Sequence, residues 1–343
     1  MKKLLAPRFI VLDSSNKQDE NSPASRNWRP DISVYKERTY PKLNKNKPNQ
    51  LDKVDLVVEV KRYNSGEVAW EASARSDEFM PEGGAESRGQ NYAALREVVK
   101  RQSRNHAFLL YIHDPWFTVV RVDHAGVIVS ERVNMRTDPR PVLEFFHRYA
   151  SADDAHRGLD TSRRRVTDPK VLDAIKKELE DSGDKDADWT LPLIEFDVPN
   201  GGGEPIKVYG VKQHIIPDDL LGRCTSTWTV WIREYLTKAF MKDTWRVEAA
   251  EVKPESDIIG ELHKKKVPHI PTILYGGDLP GPGQVTKSQD FDEEGIDKRC
   301  HHRLLEKIVP SFVEKAPTPK AMFTAIYHAF QGRFGASSIF EWF

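Results

Sequence analysis

Cysteine is scarce in this chain: Cys224 and Cys300 are the only two among 343 residues. One pair cannot make the disulfide framework of a small secreted domain, and neither residue sits in a CxxC metal clip. An excess of one charge is missing too, because 52 Lys and Arg balance 52 Asp and Glu. That balance gives no overall pull toward nucleic acid or a membrane surface, although a local basic groove remains open. No apolar run approaches the roughly 18–20 residues that a membrane span needs. The opening Met1 to Leu5 carries two lysines and two leucines before Arg8, which does not fit a secretory leader. An intracellular location, cytoplasmic or nuclear, with no membrane partner, is the expectation.

The length leaves room for two ordinary domains. Residues 1–29 are polar and without pattern, and read as a disordered lead-in. Asp31 to Tyr35 and Val54 to Lys61 read as strands, the second rich in β-branched residues. Residues 73–88 read as a Gly/Ser/Glu loop. In Gln90 to Gln102, Tyr92, Leu95, Val98 and Val99 recur at helical spacing. Strands are expected over 107–112, 117–123 and 127–132, and a short helix over 141–149. Residues 151–190 are dense in Asp, Lys and Arg and read as a connector with one helix, 171–179. Strands follow at 191–197 and 206–211, then a β-rich block from Leu220 to Trp245. A helix is expected over 254–265, a Pro/Gly-rich loop over 268–293, a strand from His302 and a helix over 318–334. Within that loop, Gly281 to Ser288 imitates a P-loop but lacks the glycine before Lys287, and it reads as solvated.

Two constellations carry chemistry. Residues two apart in a strand share a face, so Glu59 and Lys61 project together, beside Asp31 if their strands pair. Two carboxylates can hold a divalent metal through oxygen, and a lysine beside them can steady a scissile phosphate. The bland alternative is an ordinary charged strand, since ExK and PD both occur by chance. In the second constellation Leu221 to Val230 reads as strand, turn and strand around Gly222. Lys242 follows on a strand after Ala, Phe and Met. Such a lysine can reach nucleotide phosphates and pair with a helix carboxylate. Glu255 offers one, with Ile258 and Leu262 three and seven positions on along the apolar stripe. Glu261 is a rival that lies off that face.

The Pro30-Asp31, Glu59-Val60-Lys61 and Gln90/Tyr92 pattern resembles the PD-(D/E)xK nucleases. The whole series resembles the fungal-type protein kinases. It runs through Pro30 to Tyr35, Val58 to Lys61, Gly89 to Tyr92, Val122 to Gly126, Arg157 to Thr161, Leu221 to Thr225, Met241 to Arg246 and His302 to Leu304. The resemblance implies an α/β and α+β chain. A mixed-sheet PD-(D/E)xK-like domain would span 30–150 and a charged linker 151–204. A kinase-like N-lobe, with only the start of a C-lobe, would span 205–343. It implies ATP and magnesium as cofactors and a protein substrate, with Gly222, Lys242 and Glu255 around the nucleotide. In the first domain it implies a divalent metal at Asp31 and Glu59, with Lys61 and Gln90 beside it and nucleic acid as a partner. Departures are Asp123-His124-Ala125-Gly126 and Cys224, each where the family usually differs. The chain contains no His-Arg-Asp and no Asp-Phe-Gly; Asp290-Phe291-Asp292 is a look-alike. Those motifs supply the catalytic base and the magnesium ligands of a kinase. The expectation is therefore a kinase by descent, truncated and inactive, with a metal-dependent nuclease or a pseudokinase scaffold as alternatives.

Overall fold

The computed structural model describes residues 1, 5, 8–15, 17–19, 29–42, 49–61, 82–184, 186–291, 295–311 and 313–338. Most of the expected 73–88 loop and the residues Ile339 to Phe343 lie outside the described residues. The chain divides into two units. The first takes Met1–Thr161, Asp218–Gly222 and Pro282–Lys298, and the second takes Ser162–Pro217, Arg223–Gly281 and Arg299–Phe343.

The first unit is a mixed sheet with a helix on each face. Its strands are β1 (Phe9–Asp13), β2 (Ile32–Lys36), β3 (Leu56–Lys61), β4 (His106–His113), β5 (Trp116–Asp123), β6 (Val127–Val129) and β7 (Val133–Asn134). β1, β2 and β3 are antiparallel neighbours, whereas β4 lies parallel to β3. A parallel neighbour requires a crossover, and helix α1 (Glu82–Gln102) supplies it. α1 packs Leu95, Val98 and Val99 on Val57, Leu109 and Val120. Helix α2 (Arg140–Ser151) covers the other face, where Phe146 and Tyr149 meet Leu56, Val58, Leu110 and Phe117. Burial of each of these rings is worth about 1.5–3 kcal/mol. Cover on both faces explains why Leu56, Val57 and Val58 are all buried in sequence rather than alternating. The lead-in is not patternless: it contributes β1, and Leu5 is buried in the same core. The helix expected from Gln90 begins earlier, at Glu82.

The second unit is a closed sheet. Its strands are β8 (Arg163–Arg165), β9 (Ile194–Asn200), β10 (Gly203–Ile215), β11 (Ser226–Ile232), β12 (Thr237–Val247), β13 (Ile273–Asp278) and β14 (Arg299–Glu306). They run in the order β10-β11-β12-β14-β13-β9-β8, and a further β9–β10 pairing closes six of them into a ring. Phe196, Val208, Trp228, Val230, Met241 and Leu305 fill the inside. Gly210 is required there, because a Cβ would stand 2.8 Å from the Phe196 ring and 2.9 Å from Trp228. Of the expected 151–204 linker, residues 151–161 fall in the first unit and 162–204 in this one. The latter provide β8, β9 and helix α3 (Pro169–Asp181), whose Ile175 and Leu179 pack on Tyr209, Val211 and Trp231. Asp168 caps α3 by accepting from the Lys170 N–H at 2.9 Å. Helix α4 (Glu255–Lys264) buries Ile259 and Leu262. Helix α5 (Pro319–Ser337) begins at a Thr318 cap and leaves Phe323, Ile326 and Phe330 exposed. No helix among the described residues is long and apolar enough to cross a membrane.

Candidate functional site

Lys242 stands in the middle of its sheet, level with Thr227 of β11 and Leu304 of β14. Its neighbour Met241 points into the barrel core, so Lys242 points to the outer face, which it shares with Leu304 and Glu306. Its Nζ donates to Glu255 Oε1 at 2.8 Å and lies 2.7 Å from Glu306 Oε1. Glu255 is the first residue of α4, where a negative charge also suits the helix dipole. Glu306 ends β14 and its side chain is 9 % exposed. Burial acts to lower the Lys242 pKa, but the contacts with Glu255 and Glu306 outweigh it and hold the ammonium charged.

Beneath this trio, on the inner face, lies a saturated charge cluster. Asp243 accepts from Arg303 Nε at 3.0 Å, and its Oδ1 is 2.5 Å from His301 Nε2. Burial alone would raise its pKa; Arg303 and His301 instead hold the carboxyl far below the usual carboxylate range. Arg303 Nη1 donates to the carbonyls of Ser162 at 3.0 Å and Asp197 at 2.9 Å. This cluster locks the strands that carry Lys242 and Glu306.

In the first unit, Asp31 Oδ2 accepts from the Val60 N–H at 2.7 Å, which ties it to the strand of Glu59 and Lys61. Lys61 Nζ is 3.0 Å from Glu59 Oε1. Burial raises the pKa of both carboxyls; Asp31 adds to the effect at Glu59, and Lys61 opposes it at each. Gln90 is exposed on α1, whereas Ser87 and Asn91 of the same helix are buried. Gly222 belongs to the first unit, adopts φ +95°, and donates its N–H to the His124 carbonyl at 2.8 Å. It is loop, and so is Leu221, so the strand expected before Gly222 is absent and β10 ends at Ile215. The P-loop look-alike is not solvated: Lys287 N and Ser288 Oγ bind Asp123 at 2.7 and 2.8 Å, and Thr286 and Ser288 are buried.

The sequence matches the fungal protein kinase family over residues 29–280. The chain belongs to that family. The matched stretch takes in Lys242 and Glu255 and equally Asp31, Glu59, Lys61 and Gln90. No curated protein and no solved structure matches the chain. Glu306 lies outside the matched stretch, and sequence reasoning missed it. Among the described residues no group of three or more His, Cys, Asp or Glu is placed to hold a metal ion.

Proposed function

We propose that the second unit of this fungal protein kinase family member binds ATP, with Lys242 contacting phosphate oxygens. We also propose that these 343 residues do not by themselves transfer the phosphoryl group. The observation that carries the reading is the placement of one strand lysine between Glu255 and Glu306. An ammonium is a compact point charge suited to phosphate oxygen. Glu255 fixes its direction from the helix, and Glu306 fixes it from the neighbouring strand. With the lysine partly exposed, Nζ can exchange one carboxylate contact for a phosphate contact without leaving the site. Family membership implies magnesium, which would neutralise phosphate charge when bound. Among the described residues no group of three or more candidate ligands gathers for it, so no step here depends on it. Transfer to a protein hydroxyl needs a base to take the hydroxyl proton, and the sequence holds no His-Arg-Asp to supply one.

The test is a titration with a fluorescent ATP analogue, beside a radiolabel transfer assay on a generic protein substrate. Saturable binding without transfer is expected. Transfer that survives removal of Lys242 would contradict both halves.

A second reading concerns the first unit, and the 2.7 Å bond from Val60 to Asp31 favours it, since it gathers Asp31, Glu59 and Lys61 at one sheet end. The order of three antiparallel strands, crossover helix and parallel strand also supports a PD-(D/E)xK-like unit acting on nucleic acid. Asp31 and Glu59 would hold the metal and Lys61 would steady the phosphate. Magnesium- or manganese-dependent DNA cleavage that Glu59→Ala abolishes is the expected result; no cleavage ends this reading.

A further inference from the structure

Three buried side chains near β3 and β4 have polar atoms with no partner among the described residues. They are Ser87 Oγ, Asn91 Nδ2 and both ring nitrogens of His113. Ser87 is 3 % exposed, Asn91 4 % and His113 9 %. Buried polar atoms in folded proteins are nearly always bonded, so each such atom calls for an explanation. Their placement supplies one.

His113 ends β4 and stands level with Lys61 in the parallel register. It lies on the same face as Tyr111 and Leu109, and those pack toward α1. Since α1 is the crossover from β3 to β4, it runs antiparallel to both, and its N-terminal half lies over their C-terminal ends. Ser87 and Asn91 continue the stripe of Leu95 and Val98 toward that end, at helical spacing. From Val98 back to Asn91 the helix climbs about 10 Å. From Leu109 to Tyr111 and His113 the strand climbs about 7 and 13 Å. Asn91 therefore stands over the Tyr111–His113 step, and Ser87 just beyond it.

We infer that Ser87, Asn91 and His113 form a pocket for a phosphate group beside Lys61. The amide Nδ2 can only donate, the hydroxyl can donate, and an imidazole presents at least one N–H donor. A wall of donors next to an ammonium suits a tetrahedral oxyanion. It does not suit a bare cation, because Nδ2 has no lone pair to give. The inference rests on the second reading only for the position of Lys61, and it needs neither metal nor cleavage. It changes what that unit recognises: a backbone phosphate, gripped from the crossover helix, with Asn91 rather than Gln90 as the helix contact.

The experiment uses the full chain carrying Lys242→Ala, so that the second unit's lysine contributes nothing. Inorganic phosphate is titrated in, and the ring nitrogens of His113 are followed by long-range 1H–15N NMR, assigned with His113→Gln. A saturable shift with a Kd of about 1 mM is expected. Asn91→Leu should weaken it at least tenfold (about 1.4 kcal/mol) while the melting temperature holds or rises. Ser87→Ala should act in the same direction and leave the fold intact. A flat titration overturns the inference. So does a curve that neither variant alters, and so does a loss of melting temperature in both, which would mark the two side chains as structural. Absence of DNA cleavage sinks the nuclease reading and leaves this titration standing. A flat titration sinks the pocket even where DNA is cleaved.

Discussion

Each unit holds a buried polar cluster, and these two clusters are balanced in opposite ways. In the second, Asp243 is matched by His301 and Arg303, and the Lys242 ammonium lies between Glu255 and Glu306. In the first, Ser87, Asn91 and His113 are buried with polar atoms unmatched among the described residues. A matched cluster resists disruption because removing one partner strands the other's charge. An unmatched one costs stability while it stays empty-handed, and that cost is tolerated where a ligand is to be bound. The same chain thus shows a charge network that holds strands in place and a polar lining that the fold alone does not require.

The comparison can be broken most forcefully at Asp243. Asp243→Ala leaves Arg303 and His301 buried without their acceptor, and a loss of about 3–5 kcal/mol is expected in a urea melt. A loss well under 1 kcal/mol would show that the network does not hold the second unit together. Lys242→Ala comes next. It should reduce ATP affinity by about 10- to 100-fold, equivalent to about 1.4–2.7 kcal/mol. It should also cost stability, though less than Asp243→Ala, because it leaves the buried Glu306 carboxylate without its cation while Glu255 stays near solvent. Calorimetry and a parallel melt separate the two effects. In the first unit the sign reverses: Asn91→Leu removes an unmatched buried donor and should stabilise by about 1 kcal/mol. Destabilisation there would erase the contrast.

The smallest effect is a pH dependence at Glu59. Its folded pKa is raised by burial and by Asp31, so the folded state prefers the neutral carboxyl. That preference contributes stability at pH below the unfolded value of about 4.3 and is lost as pH rises through the folded value. Glu59→Gln should therefore raise the melting temperature at pH 7, and the gain should vanish near pH 4. An equal gain at both pH values would rule out titration of Glu59 as its cause.

Much of the fold was legible in local pattern. The β-branched run Leu56 to Lys61 and the stripes of α1 and α4 declare themselves, because one strand or helix face is readable over a few residues. β13 was not legible. Its Gly276-Gly277 pair reads as loop, yet Gly276 is what lets Leu304 approach, since a Cβ would stand 2.8 Å from the Leu304 side chain. β1 was hidden because its five residues sit among polar neighbours and gain strand character only by pairing with β2. The Lys242–Glu255 pair could be read from thirteen residues of spacing. Glu306 could not, because it reaches Lys242 only through the β12–β14 register. His113 was invisible for a similar reason, since its place beside Lys61 depends on a parallel pairing across the crossover. Ser87 and Asn91 were passed over because the helix extends further toward its N-terminus than the apolar spacing shows.

The central claim is that Lys242, held by Glu255 and Glu306, is the phosphate contact of an ATP site. Calorimetric titration of ATP into the full chain, with and without Lys242→Ala, tests it most directly. The account predicts saturable one-site binding by the unaltered chain, weakened at least tenfold in the variant at a temperature where both are folded. Equal affinity in the two proteins, or no binding to the unaltered one, would contradict it.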